Sequence, residues 1–227
     1  VKTQTETALE SLLLDPEGPA VVAIGGGHGQ AAALEAIQTY AGAITALVTV
    51  ADDGGSSGRL TPLGIPPPGD LRRCLLALTP EPSLWSELFS HRFQGADVAE
   101  HSLGNLILAA LTEMFGDFAT AVATAERMLG TVGRVIAVAD HPVTLRAIVD
   151  GREVTGQVAI AQSRGRITDL TLDPEDTMAS LHALEAVAGA DQLVLGPGSL
   201  YTSLISALKV QMLAPAISDA HAQKVFV

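Results

Sequence analysis

The stretch Ala20-Val21-Val22-Ala23-Ile24-Gly25-Gly26-Gly27-His28-Gly29-Gln30-Ala31-Ala32 decides the fold class. An apolar run enters a glycine cluster, and an alanine-rich segment leaves it. That order reads as strand, turn, helix. Within it, Gly27-His28-Gly29-Gln30-Ala31-Ala32 fits the pattern G-x-G-x-x-A. Glycines allow a phosphate to approach the backbone, and the free N–H groups of a helix start point at it. A tight βα turn with no ligand is the alternative reading.

Residues 44–50 form a second apolar, β-branched run. It leads into Thr49-Val50-Ala51-Asp52-Asp53-Gly54-Gly55-Ser56-Ser57-Gly58-Arg59. Asp52 lies roughly twenty residues past the glycines, where a dinucleotide fold places the acid that meets a ribose hydroxyl. Two adjacent carboxylates repel each other, and a cation, a ligand hydroxyl or backbone N–H groups relieve the repulsion. Asp-Gly-Gly-Ser is also ordinary turn chemistry.

Composition points the same way. Of 227 residues 48% are hydrophobic and only 4% aromatic, as in α/β proteins with a buried parallel sheet. The formal charge of −12 argues against a general nucleic-acid binder and against docking on an anionic membrane. The single Cys74 excludes an internal disulfide framework, fits a reducing cytoplasm and, beside Leu75 and Leu76, reads as a core residue. No apolar run reaches about 18 residues, so no membrane-spanning helix is expected. Residues 1–15 lack a basic region followed by a long apolar stretch, so a signal peptide is not expected either.

Further along, residues 52–69 read as a long Gly/Ser/Pro loop closing on Pro66-Pro67-Pro68-Gly69. Asp70 then looks like the N-cap of a helix over 71–78. Residues 80–93, 103–114 and 118–129 read as helices. From 134 to 172 the pattern becomes β-rich, with strands over 143–149, 154–161 and 166–172 and a hairpin signal at Asp150-Gly151. A helix is expected over 177–188. A strand over 192–195 then enters Gly196-Pro197-Gly198-Ser199-Leu200-Tyr201-Thr202-Ser203, a second junction of strand, glycine loop and helix. Residues 224–227 begin another strand, so sequence beyond Val227 is expected.

The second glycine loop offers backbone N–H groups and the hydroxyls of Ser199, Thr202 and Ser203, or it is a plain turn with a Ser cap. In His101-Ser102-Leu103-Gly104-Asn105, His101 suits phosphate donation or acid–base work, and Ser102 suits a helix cap. Arg59 and Arg72 suit clamping of phosphate oxygens, and Arg73 suits that role or a solvated helix face. His91, His141, His182 and His221 show no metal-ligand spacing.

These motifs, from Ile24-Gly25-Gly26-Gly27-His28-Gly29 through Pro66-Pro67-Pro68-Gly69-Asp70-Leu71-Arg72 to the 195–203 loop, strongly resemble in order the YvcK/CuvA-like proteins. These are often called gluconeogenesis factors and lie within the CofD-like superfamily. The resemblance runs from about residue 20 to the end. It implies a Rossmann-like α/β fold: a mostly parallel sheet with flanking helices and a β-rich insertion around 134–172. Residues 1–19 would be an N-terminal extension and 20–227 a single domain lacking its C-terminal part. It further implies a cytoplasmic bacterial protein that binds a nucleotide sugar such as UDP-N-acetylglucosamine and affects cell shape, cell-wall synthesis and gluconeogenic growth. A homodimer and protein partners in cell-wall regulation are further expectations.

The implied ligand-binding residues are Gly26, Gly27, His28, Gly29, Asp52, Asp53, Gly55, Ser56, Ser57, Arg59, Asp70, Arg72, His101, Ser102, Asn105, Gly196, Pro197, Gly198, Ser199, Tyr201 and Thr202. Asp52 and Asp53 are also the candidate Mg²⁺ ligands and candidate catalytic groups. The alternative reading is a CofD-like, magnesium-dependent transferase that moves a phospholactyl group from a nucleotide-activated donor to the hydroxyl of the deazaflavin precursor Fo. There the Asp pair holds Mg²⁺ or deprotonates the acceptor. An NAD-dependent dehydrogenase fits less well, because its ribose acid needs no second carboxylate. Two departures stand out: His28 replaces the Thr of many relatives, and Gly-Pro-Gly-Ser replaces the Gly-Pro-Ser-Asn-Pro loop of the CofD transferases.

Overall fold

The computed structural model describes residues 14–227. Most of the expected 1–19 extension, and nearly all of the 1–15 stretch weighed as a signal peptide, lie outside the described residues.

Five strands carry the fold: β1 (Ala20–Gly25), β2 (Ala43–Val48), β3 (Arg134–Ala137), β7 (Gln192–Leu195) and β8 (Gln223–Phe226). They form one sheet in the order β3-β2-β1-β7-β8, with every pairing parallel. The central strands read as near-continuous apolar runs because helices cover both of their faces. From β1 the chain steps outward to β2 and β3 on one side, while β7 and β8 extend the other. The order therefore reverses between β1 and β7, and that switch point sets the two glycine loops side by side at the carboxyl edge. The expected Rossmann-like α/β architecture is what the chain adopts.

The helices in chain order are α1 (Gly27–Ile37), α2 (Gly55–Leu60), α3 (Pro68–Ala77), α4 (Leu84–Ser90), α5 (Leu103–Phe115), α6 (Phe118–Leu129), α7 (Gln157–Gln162), α8 (Leu181–Ala188), α9 (Ser206–Leu208) and α10 (Leu213–Asp219). A π-helical segment, Leu200–Ile205, follows β7. Helix α1 buries Leu34 and Ile37 against the sheet and adds a polar tether. The Gln30 amide is fully buried and donates to the carbonyls of Ala23 and Leu47, both at 2.9 Å. Cys74 is buried as expected, and burial pushes its thiol pKa well up. Among the described residues, no helix is long and apolar enough to cross a membrane.

Four sequence expectations need correction. Arg134–Ala137 belongs to the parallel sheet, because Val135, Ile136 and Ala137 are buried beside β2. The antiparallel insertion is therefore β4 (Thr144–Val149), β5 (Arg152–Thr155) and β6 (Ile167–Asp173), in the order β5-β4-β6. The strand expected over 154–161 stops at Thr155, where Gly156 takes a φ of 98° and helix α7 begins. The 52–69 stretch is not all loop, since it holds α2 and a 3₁₀ turn at Thr61–Leu63; Ser56, Ser57 and Leu60 face inward at a helical spacing that Gly/Ser composition hides. Helix α3 starts at Pro68 with Pro67 at the cap position. Proline suits that first position because it needs no N–H partner there. Asp70 thus sits inside the first turn and has a different job.

Candidate functional site

The two glycine loops touch. A Cβ added to Gly29 would lie 2.6 Å from the Pro197 carbonyl oxygen, and one added to Gly198 would lie 3.5 Å from the Gly26 carbonyl oxygen. Only glycine at position 29 lets the first turn of α1 come this close to the 196–198 loop. Beyond that loop, Ser199 caps the π-helical segment by accepting from the Thr202 N–H at 3.4 Å, Thr202 is buried, and Tyr201 is exposed. Of the expected residues, Gly26 and Gly29 of the first loop therefore pack against Gly198 and Pro197 of the second.

Asp70 reaches the first of these loops. Its Oδ2 accepts from the Gly27 N–H at 2.7 Å, and its other oxygen is ion-paired with Arg73. The carboxyl is almost fully buried. Burial and the neighbouring Asp52 carboxylate raise its pKa, against the lowering pull of Arg73 and the Gly27 N–H. Asp52 holds the turn that follows β2, accepting from the Gly54 N–H at 3.0 Å. A Cβ at Gly69 would stand 3.3 Å from Asp52 Oδ2 and 2.3 Å from Ser57 Oγ, so Asp52 and Ser57 both face the start of α3. Ser57 Oγ accepts from the Gly69 N–H at 3.1 Å.

Asp53 turns away from this pair. Its Oδ1 accepts from the Val158 N–H at 2.9 Å, at the start of α7. The adjacent carboxylates read from the sequence thus serve two places: Asp52 faces Asp70, and Asp53 ties the insertion to the main domain. Among the described residues, no group of three or more His, Cys, Asp or Glu side chains is placed to hold a metal. The Asp52–Asp70 pair still suits Mg²⁺, which commonly takes one or two carboxylates and completes its shell with water and ligand phosphate oxygens.

A third group is a hydrogen-bonded chain. Arg72 Nε donates to Asn105 Oδ1 at 3.0 Å, and Asn105 Nδ2 donates to Ser56 Oγ at 3.0 Å. Ser56 Oγ lies 3.0 Å from His101 Nδ1. An arginine can only donate, so the Asn105 oxygen must face Arg72 and its amide nitrogen must face Ser56. The Ser56 hydroxyl is then free to donate to His101 Nδ1, which leaves the proton of neutral His101 on Nε2. Desolvation and nearby Arg59 lower the His101 pKa and favour that neutral ring.

The remaining expected residues fall outside these contacts. Arg59 is exposed and donates to the Ala99 carbonyl at 2.8 Å. Ser102 does not cap α5 with its side chain; it donates to the Phe89 carbonyl at 3.2 Å. Gly55 opens α2 at positive φ. His28 faces a groove beside Arg72, Arg73 and Arg92 rather than the glycine crevice. Sequence reasoning missed Arg92, which stands alone in a polar stretch, and Gln30, whose burial no local pattern signals.

The sequence profile described as "2-phospho-L-lactate transferase CofD" matches residues 21–227. The chain belongs to this family. Two of its relatives carry the name gluconeogenesis factor: a protein of Halalkalibacterium halodurans, 43% identical over 210 residues, and one of Bacillus subtilis, 43% identical over 212 residues. They match 91% and 92% of this chain, which spans 65% and 67% of their own lengths. A third relative, from Nostoc sp., is 44% identical over 213 residues, and the chain spans 47% of it. A crystal structure of a Bacillus halodurans protein superposes with a TM-score of 0.89 at 42% identity, covering 92% of this chain and 68% of that one. The chain therefore spans from about half to two thirds of the length of the family members it matches.

Proposed function

We propose that this member of the CofD family is the nucleotide-sugar-binding part of a cytoplasmic regulatory protein, needed for gluconeogenic growth, cell shape and cell-wall synthesis. The ligand is UDP-N-acetylglucosamine or a close relative. The observation that carries this reading is the contact between the two glycine loops at the β1/β7 switch point, with Gly29 against the Pro197 carbonyl. Open α/β sheets bind ligands at such a crevice, and bare backbone there admits a diphosphate. The names of the relatives support the gluconeogenic role.

Asp70 refines the reading. A diphosphate next to Gly27 meets the buried Asp70 carboxylate, and Asp52 stands close behind it. Mg²⁺ held by Asp52 and Asp70 supplies the charge that lets phosphate and carboxylate share the site. The test is thermal stability with UDP-N-acetylglucosamine, GDP and NAD, each with and without Mg²⁺. The expected result is a rise in melting temperature with the UDP-sugar, larger with Mg²⁺, because a ligand of the folded state stabilises it by mass action. Stabilisation by NAD alone would overturn the proposal.

The second reading is the phospholactyl transferase of the CofD name. The Asp52–Asp70 pair favours it, since Mg²⁺-dependent transfer from a nucleotide-activated donor uses such carboxylates. Formation of phospholactylated Fo from such a donor separates the two readings. The Gly196-Pro197-Gly198-Ser199 loop, which differs from that of the transferases, weighs toward binding without turnover.

A further inference from the structure

Three guanidinium groups of this acidic chain converge on one groove. The chain carries 13 Lys and Arg against 25 Asp and Glu, yet Arg72, Arg73 and Arg92 all line the furrow between α1 and α3. His28, Ala31 and Glu35, on one face of α1, and Leu76 and Ala77 of α3 complete its wall. Arg72 is only 7% exposed and, among the described residues, has no carboxylate partner. Its Nε and Nη1 are spent on Asn105 Oδ1 and the Phe89 carbonyl. Its Nη2 makes no hydrogen bond to the described residues. No buried side-chain nitrogen is left without a partner, so Nη2 opens into the groove. Arg92 gives one N–H to the Glu100 carbonyl at 2.6 Å, and Arg73 gives one to Asp70, which leaves further donors on each. Burial first, and then the two neighbouring arginines, pull the Arg72 pKa down to about 10 against the opposing pull of Asp70.

We propose that this groove is a phosphate-binding site separate from the glycine-loop crevice. A cation held this deep without a counter-ion is costly, and an oxyanion offsets that cost. Guanidinium groups match phosphate oxygens in geometry as well as charge, so three arginines around one cleft suit a phosphate dianion. The two sites adjoin at Asp70, which bonds both the Gly27 N–H and Arg73, but they use different positions of the first turn of α1: Gly29 meets Pro197, whereas His28 meets the arginines. This inference does not depend on the identity of the nucleotide ligand.

The test is a titration of the full chain with inorganic phosphate at constant ionic strength, read by calorimetry and by NMR of ¹⁵N-labelled arginine side chains. Saturable binding is expected, with shifts at the Nε–H of Arg72, Arg73 and Arg92. Arg92→Glu lies on an exposed residue and should leave the fold intact while weakening phosphate binding by about tenfold or more. Saturating UDP-N-acetylglucosamine should leave phosphate bound. Absence of saturation, an Arg92→Glu protein that binds phosphate as before, or displacement of phosphate by the UDP-sugar would each overturn the site. The phosphate readout stands whether or not the UDP-sugar itself binds.

Discussion

Asp70 Oδ2 sits 2.7 Å from the Gly27 N–H, at the helix start where a Rossmann-like fold presents its backbone to phosphate. The chain thus supplies its own anion to that N–H, from a residue 43 positions downstream. A phosphate arriving at the same turn has to share the N–H groups with a buried carboxylate or displace it. On the function proposed above, a cation between Asp52 and Asp70 would let the phosphate share that turn, and the first prediction below tests it.

Asp52→Asn should raise, or leave unchanged, the stability of the ligand-free protein near neutral pH. The Asp70 pKa is raised by burial first and by Asp52 second. A raised carboxyl pKa means the folded state holds its proton longer. The contribution of Asp70 to stability is therefore greatest below the ordinary Asp range and falls as pH rises through the folded value. Removing the Asp52 charge relieves part of that loss. Asn keeps an oxygen for the Gly54 N–H, so the turn survives. Urea melts at pH 7 check the stability. Mg²⁺-dependent nucleotide binding should weaken in the same protein, whereas a destabilised variant with normal binding would reduce Asp52 to a turn former.

Asp53→Ala should act on the insertion. Its carboxylate accepts from the Val158 N–H at the start of α7, which is capping from a distant part of the chain. Loss of such a cap costs about 1 kcal/mol. Hydrogen exchange should quicken in α7 and in the β4–β6 sheet while nucleotide binding changes little. Lost binding with unchanged exchange would place Asp53 in the ligand site.

Gly29→Ala should separate the two glycine loops. The new methyl would lie 2.6 Å from the Pro197 carbonyl oxygen, a distance that backbone must move to relieve. Overpacking of this kind costs about 1–3 kcal/mol. Calorimetry on the folded variant should find nucleotide-sugar binding abolished, and near-normal affinity would remove this junction from the site.

His101 should contribute to acid sensitivity. Its lowered pKa means the unfolded chain takes up the proton first, so the protein loses stability as pH falls through the ordinary imidazole value toward the folded one; above the ordinary value the effect vanishes. Between about pH 7.5 and pH 5 the urea midpoint of the unmodified protein should fall relative to that of His101→Gln. Ser56→Ala removes the hydroxyl facing Nδ1 and should change the proportion of the two ring tautomers, read from the imidazole nitrogen shifts.

Local order along the chain was enough to establish the class of fold. The apolar runs at 20–24 and 44–50, the first entering glycines and the second an acidic glycine loop, read as strands, and the Ala-rich segment after Gly29 reads as the helix between them. Side-chain period and glycine placement are short-range properties, so a single sequence displays them. Which strands neighbour each other is not short-range. That Arg134–Ala137 joins the parallel sheet, and that β7 pairs with β1 across most of the chain's length, depends on burial against distant residues. The same distinction runs through the site. The motifs around Gly27, Asp52, Asp70, Asn105 and Gly198 stood out as residues, but their roles depend on side-chain direction. Only the tertiary structure turned Asp53 toward α7, set Asp70 on the N–H of Gly27, and brought Arg92 to Arg72 and Arg73. Electrostatic partnerships act through space, and no spacing along the chain encodes them.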